Sequence, residues 1–136
     1  MTDSGLERFV QQSCILLTTY KRDGTSVGTP VHIAVEGDHA YIRTYAKAGK
    51  AKRMRNFPDV EIAPSTFRGR PTGPTCKARV RLLDRGSAEN AHAARRLARK
   101  YPVVHGFLVP TLHRLQRDRT LHYELRLHED EPAEPG

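Results

Sequence analysis

The hydrophobic pattern changes period several times along the chain, and each change marks a predicted element. The segment from Ser4 to Gln12 carries apolar residues at helical spacing behind residues that can cap a helix. Residues 14–20 are apolar and β-branched, and a second such run spans 26–35. An Asp23-Gly24 turn separates the two runs, so together they predict a β-hairpin.

Four further strands and two longer helices follow from the same patterns. The first helix is rich in Lys and Arg and ends before Pro58, which cannot continue it. The second begins at Ser87, a good N-cap residue. Its predicted inner stripe is Ala91, Ala94, Leu97 and Ala98. These strands span residues 39–45, 60–67, 75–83 and 121–127, and the helices span residues 47–57 and 87–101.

Six strands and three or four helices, without internal repeats, favour one architecture. A chain of 136 residues forms one domain and buries enough surface for a core without metals or disulfides. We therefore predict a mainly β fold, a six-stranded antiparallel β-barrel with peripheral helices. The domain is assigned to residues 1–128, and the acidic, Pro-rich residues 129–136 are expected to form a disordered tail.

The positive charge is concentrated in two blocks. The chain has 23 Lys and Arg against 15 Asp and Glu, a formal net charge of +8. Residues 43–55 contain six cations and no acid, and residues 68–85 contain six cations opposed only by Asp84. This charge implies an anionic partner, and by itself it fits a nucleic acid as well as an anionic cofactor.

Cysteine usage and hydropathy indicate the compartment. Cys14 and Cys76 lie far apart, which fits a reducing environment and gives no spacing for a metal site. The first twelve residues are polar, and the longest apolar runs have four or five residues, which excludes a secretion signal or membrane span. We expect a cytoplasmic protein with neither a metal nor a membrane partner.

The segment from Ala40 to Ile62 combines a strand, a turn and a basic helix. A helix N-terminus offers unpaired N–H groups and a partial positive charge, which favour phosphate. Thr44 supplies a hydroxyl at the strand end, Gly49 permits close backbone approach, and Lys50 and Lys52 add charge. The segment predicts a phosphate site, and a solvated basic helix face is the alternative interpretation.

The chain carries a series of short motifs, none of which alone is specific to one protein family, but whose order is. They are an opening helix, a hairpin with the Asp23-Gly24 turn, Gly28-Thr29-Pro30-Val31, a strand ending in Thr44, a Lys-rich helix, and Asn56-x-Pro58-x-Val60. This order resembles the split β-barrel flavin and deazaflavin oxidoreductases, over about Leu6 to Leu83. That superfamily includes the pyridoxamine 5′-phosphate oxidases and the actinobacterial enzymes that use the deazaflavin coenzyme F420.

The resemblance implies a role for each matching residue. Thr29, Pro30, Val31 and His32 are expected to run along the ring and ribityl chain of an FMN-binding-like site, Thr44 and Lys50 to hold the phosphate, and Ala51, Lys52 and Arg55 to add N–H groups or charge. His32 is also a candidate proton donor, as is Tyr45, with an ordinary structural histidine as the alternative. The resemblance further implies a homodimer with the cofactor at its interface.

Charge favours the deazaflavin over FMN. FMN carries one phosphate, whereas coenzyme F420 adds a tail with several carboxylates, and the twelve cations of the two blocks exceed the need of one phosphate. We expect an F420-dependent oxidoreductase that transfers a hydride between the reduced cofactor and an unsaturated small-molecule acceptor. Residues 68–74 and 102–115 are expected to line the acceptor pocket.

Two alternatives remain open at this point. One is a split barrel that binds FMN or haem. The other, from a different class, is a basic domain that binds single-stranded nucleic acid, in which Tyr41, Tyr45, Phe57 and Phe67 would stack on bases. Because neither an OB-fold nor an RRM signature is present, we do not expect a nucleic-acid partner.

Overall fold

The computed structural model of the protein describes residues 5–45, 49–100 and 120–128. These residues form seven strands, two α-helices and a short 3-10 helix at Glu7–Phe9. The strands are β1 (Cys14–Tyr20), β2 (Ser26–Val31), β3 (Ile33–Glu36), β4 (His39–Tyr45), β5 (Asp59–Ser65), β6 (Cys76–Leu82) and β7 (Thr120–Leu127). The helices are α1 (Gly49–Asn56) and α2 (Ala88–Lys100). The predicted acidic tail, residues 129–136, lies outside the described residues.

All seven strands pair in one antiparallel sheet with the order β2-β1-β5-β6-β7-β4-β3. The two edge strands, β2 and β3, are joined by His32 alone. A one-residue link between opposite edges requires the sheet to curl until those edges meet, which produces a half-barrel. The prediction of one strand over residues 26–35, and hence of six strands, is wrong because the chain changes edges at His32.

The β1–β2 hairpin is confirmed. Tyr20 pairs with Ser26, and Gly24 adopts a φ of 89° in the turn. The Asp23 carboxylate accepts a hydrogen bond from the Thr25 N–H at 2.9 Å. Glycine is favoured at this turn because a side chain is strained at positive φ.

The inner face of the curled sheet carries the main core. Its fully buried side chains include Ile15, Leu17, Ile62 and Leu125. One turn of 3-10 helix adds the buried Phe9, so the opening helix is shorter than the predicted segment. On β7, Tyr123 and Leu125 lie in this core, and Leu121 and Leu127 pack against it.

The helix α2 covers the outer face of β3, β4 and β7. Its predicted cap is confirmed, because the Asn90 N–H donates to Ser87 Oγ at 3.1 Å. The predicted inner stripe is partly wrong, since Ala93 and Leu97 are the fully buried residues and Ala91 is exposed. Small alanines on several sides of the helix give a weak signal of the buried face. Neither helix is long and apolar enough to cross a membrane, nor is any other among the described residues.

Candidate functional site

A cavity of about 300 Å³ opens where the two sheet edges meet, beside the end of β4 and the start of α1. We call it the edge cavity. Its volume is at the lower end of the range for small-molecule sites. The described residues that line it are Cys14, Pro30, Val31, His32, Arg43, Thr44, Lys50 and Phe67. Curling of the sheet thus brings together five of the residues predicted from sequence.

The Thr44 side chain is 96% buried, at 4% relative exposure, in the wall of this cavity. Its Oγ1 finds no hydrogen-bond partner in the part of the chain that the structure describes. A buried hydroxyl without a partner costs about 1–3 kcal/mol, so such an atom indicates a site where a ligand completes the bonding. A phosphate oxygen fits this hydroxyl, which can donate to it.

Lys50 brings a positive charge to the same cavity from the first turn of α1. Burial lowers the pKa of its ammonium group, and the neighbouring Arg53 lowers this pKa further. None of the eight described lining residues is acidic. An anion bound here would raise the pKa of Lys50 again, because a nearby negative charge favours the charged ammonium group.

His32 occupies the junction between the two sheet edges and is half-buried. Burial lowers its pKa first, and the Lys100 charge lowers it further. Lys100 is fixed there because its Nζ donates to the carbonyls of Gln12 and Ile33 at 2.8 Å each. His32 is therefore neutral at pH 7, which suits it to hydrogen bonding better than to proton donation. The side chain of Tyr45, the other predicted donor, lies outside the described residues.

The other predicted residues lie apart from the edge cavity. Thr29 is half-exposed on β2 and does not line it. Ala51 and Arg55 lie on the opposite side of α1, where they line an apolar cavity of about 260 Å³. Lys52 lines a third cavity, and the space beside Gly49 is occupied by the Arg53 guanidinium. Gly49 thus accommodates a side chain of α1 itself.

The third cavity, of about 370 Å³, lies between the β1–β2 turn and α1, and we call it the hairpin cavity. Its described lining residues include the cations Lys21, Arg22, Lys52 and Arg53 and no acid. Four cations without a lining carboxylate repel one another, so this surface attracts anions.

The cations of the second sequence block are arranged differently. Arg79 pairs with Asp59 at 3.1 Å, and Arg81 pairs with Glu124 at 3.2 Å and with Glu89. Two of the six cations of this block are therefore paired with carboxylates. Beside α1, by contrast, Lys52 and Arg53 share the hairpin cavity with no acidic lining residue among those described.

The sequence interpretation missed three lining residues of the edge cavity as site residues. From the sequence, Cys14 is only a cysteine without metal-site spacing, Arg43 is one cation of a basic block, and Phe67 belongs to the base-stacking alternative. Phe67 is 76% exposed and is held at the cavity by a turn in which the Thr66 N–H donates to the Arg70 carbonyl at 2.9 Å. Phe67 directly precedes the loop 68–74 that was predicted to face the acceptor, but none of residues 68–74 is a described lining residue of the cavity. The other predicted segment, residues 102–115, lies outside the described residues.

Comparison with known proteins identifies the architecture. No family model matches the sequence, and no curated protein matches it significantly. Among solved structures, HutZ, the haem storage protein of Vibrio cholerae, matches with a TM-score of 0.65 and 14% identity over 93% of this chain and 88% of that one. The chain has the split β-barrel fold.

Two further split barrels match over almost their whole length. An F420 reductase has a TM-score of 0.57 and 16% identity, over 93% of this chain and 96% of that one. A FAD-binding protein of Mesorhizobium loti has a TM-score of 0.57 and 10% identity, over 95% of this chain and 91% of that one. These likenesses confirm the predicted split barrel, with seven strands in place of six.

Proposed function

We propose that this split barrel is an F420-dependent oxidoreductase that transfers a hydride between the reduced deazaflavin and an unsaturated small-molecule acceptor. The observation that carries the proposal is the unsatisfied hydroxyl of Thr44 in one cavity with Lys50 and the edge-strand segment Pro30 to His32. The cavity thus combines a hydrogen-bond donor, a cation and an extended backbone segment. This combination suits a phosphate attached to a planar ring. The likeness to an F420 reductase supports the same proposal.

The cations of the hairpin cavity support the deazaflavin over FMN. The edge cavity supplies Thr44 and Lys50 for one phosphate, while Lys21, Arg22 and Lys52 line separate space on the other side of the α1 start. FMN has no second anionic group to place there. The deazaflavin has a carboxylate tail that would occupy the hairpin cavity, so it would use both cavities.

When bound, the deazaflavin supplies the hydride. The chain's own residues bind and orient it and exclude water, which is most of what hydride transfer needs from a protein. Thr44 Oγ1 and the Lys50 ammonium donate to the phosphate. The His32 imidazole and the exposed Phe67 ring also line the cavity beside these donors.

The proposal is tested with Lys50→Ala, with Lys77→Ala as the matched control. Lys77 is an exposed lysine on β6 that lines none of the three cavities described above. Titration with coenzyme F420, followed by cofactor fluorescence, is expected to give at least about tenfold weaker binding for Lys50→Ala, since a charged hydrogen bond is worth about 1.5–3 kcal/mol. Lys77→Ala is expected to bind like the wild type. Equal affinities for both variants and the wild type would show that the phosphate site is wrongly placed.

A split barrel that binds haem or FMN is the second candidate function. The imidazole of His32 in the edge cavity favours it, because haem iron takes a histidine ligand. Absorbance of the protein purified from a host that does not make the deazaflavin separates the candidates, since only haem or FMN could then be bound and coloured as isolated. Salt-sensitive binding of single-stranded oligonucleotides, with no response to any of the three cofactors, would instead favour the nucleic-acid class. We also propose a homodimer, which light scattering tests.

A further inference from the structure

The apolar cavity beside α1 shares no described lining residue with the edge cavity or the hairpin cavity. It lies between α1 and the strands β6 and β7, and most of its described lining is apolar, including Met54, Val80, Leu82 and Leu121. Its volume of about 260 Å³ exceeds the roughly 150 Å³ of an apolar protein cavity that binds benzene. The space is therefore large enough for a small apolar group.

The open side of this cavity exposes apolar surface to water. Leu82 is 51% exposed, whereas Val80 and Met54 in the same lining are buried. A ligand with an apolar group would cover part of this leucine and gain free energy from the area removed from water. The cavity thus favours a ligand with an apolar body over a fully polar one.

A buried tyrosine places a hydroxyl in this apolar lining. Tyr123 on β7 is 96% buried, at 4% relative exposure, and its hydroxyl forms no hydrogen bond within the part of the chain that the structure describes. Burial raises the pKa of this hydroxyl, and the nearby Arg55 charge lowers that pKa in part. The hydroxyl is therefore protonated at pH 7 and can donate a hydrogen bond to an acceptor in the cavity.

Arg55 adds a positive charge to the same lining. It is an exposed residue of the last turn of α1, and it forms neither a hydrogen bond nor an ion pair with any described residue. The acidic residue nearest to it in sequence, Asp59, pairs instead with Arg79 and His128 at 3.1 Å each. None of the described lining residues of the cavity is acidic. The guanidinium therefore offers paired N–H donors to a carboxylate.

We propose that the apolar cavity is a binding site for a small carboxylic acid with a compact apolar body, either an aromatic ring or a short alkyl chain. The apolar body packs against Met54, Val80 and Leu82. The carboxylate accepts hydrogen bonds from Arg55 and from the Tyr123 hydroxyl. The site goes beyond the proposed function, because it needs neither the deazaflavin nor any residue of the edge and hairpin cavities.

Methionine signals in NMR spectra locate a ligand in this cavity. The sequence contains two methionines, Met1 and Met54, so isotope labelling of their methyl groups gives one signal for each, and Met54→Leu identifies that of Met54. Benzoate, phenylacetate and hexanoate are the acid probes, and benzyl alcohol is the uncharged match to benzoate. Benzoate is expected to shift the Met54 signal saturably and to bind at least about tenfold more tightly than the alcohol, which lacks the charged hydrogen bond.

Substitution of the two donors tests how the carboxylate is recognised. Arg55→Gln is expected to weaken benzoate binding at least about tenfold and to abolish the preference over benzyl alcohol, because glutamine carries no charge. Tyr123→Phe keeps the ring, loses the hydroxyl and is expected to weaken binding about fivefold. Arg95→Gln, at an exposed position of α2 outside the three cavities, is the matched control and is expected to bind like the wild type.

Three outcomes would overturn this inference. They are no shift of the Met54 signal by any of the three acids, equal affinity for benzoate and benzyl alcohol, and unchanged benzoate affinity in Arg55→Gln. Urea unfolding shows whether each variant folds, and the exposed position of Arg55 keeps the test decisive if Tyr123→Phe fails to fold. Absence of cofactor binding would overturn the proposed function alone, because the Met54 signal reports this cavity independently.

Discussion

Two buried threonines near α1 differ in how their hydroxyl groups are bonded. Thr19 is 1% exposed, and its Oγ1 accepts a hydrogen bond from Arg53 Nε at 2.5 Å. Thr44 is 4% exposed, and its Oγ1 has no partner among the described residues. The same chemical group therefore stabilises the fold at one position and, without a ligand, costs free energy at the other.

Substitution of each threonine by valine tests this difference. Thr44→Val is expected to raise the free energy of unfolding of the ligand-free protein by about 1 kcal/mol and to weaken deazaflavin binding, because the unpaired hydroxyl is removed. Thr19→Val is expected to lower the unfolding free energy by about 1 kcal/mol, because the Arg53 donor loses its acceptor. Urea unfolding measures both. Equal destabilisation by the two variants would mean that Thr44 is already satisfied within the protein.

The β1–β2 hairpin depends on the conformation of one glycine. Gly24 has a φ of 89° and open space where a Cβ would lie, so a side chain there meets backbone strain and no clash. Gly86, between β6 and α2, also has open space but is not at positive φ. The two positions separate the effect of backbone conformation from that of packing.

We expect Gly24→Ala to lower the free energy of unfolding by about 1–2 kcal/mol, the cost of the left-handed conformation for an alanine. Gly86→Ala is expected to be neutral or slightly stabilising, because alanine restricts the unfolded chain at no cost to the fold. Urea unfolding of both variants makes the comparison. A loss for Gly86→Ala as large as that for Gly24→Ala would indicate that the turn conformation is not the cause.

Elements that depend on residues close together in the sequence were predictable, and those that depend on pairing between distant strands were not. The Asp23-Gly24 turn and the Ser87 cap depend on neighbours in sequence, and both were predicted. The break at His32 was not, because the apolar pattern is continuous across it and only pairing with β1 on one side and β4 on the other divides the run. The place of Arg43 in the cavity lining was unpredictable for the same reason, because its position on β4 depends on pairing with distant strands. Its Nε donates to Nε2 of His122 on β7, 79 residues away.

The distribution of charge over the whole molecule separates paired from unpaired cations. Sequence alone gave a net charge of +8 and two basic blocks of equal size. The fold pairs Arg79, Arg81 and Arg126 with carboxylates, but it gathers Lys21 and Arg22 from the hairpin with Lys52 of α1. Lys21 and Arg22 belong to neither block, so their contribution was visible only after folding.

This arrangement predicts how salt affects the affinity for each cofactor. Exposed charges attract an anion less as ionic strength rises, because the Debye length falls from about 10 Å at 0.1 M salt to about 3 Å at 1 M. In the proposed site, the deazaflavin would place more negative charge near the hairpin cavity than FMN would. Its affinity is therefore expected to fall more steeply with added salt, as fluorescence titrations of both cofactors over a salt series would show.

The double variant Lys21→Gln, Arg22→Gln tests whether the hairpin cavity causes this steeper salt dependence. It is expected to flatten the salt dependence of deazaflavin binding and to leave that of FMN unchanged, because in the proposed site Thr44 and Lys50 would hold the FMN phosphate in the other cavity. Arg79→Gln is the control, since that charge is already paired with Asp59. Equal salt dependence for the two cofactors in the wild type would contradict a role for the hairpin cavity and leave the edge cavity as the whole of the anion site.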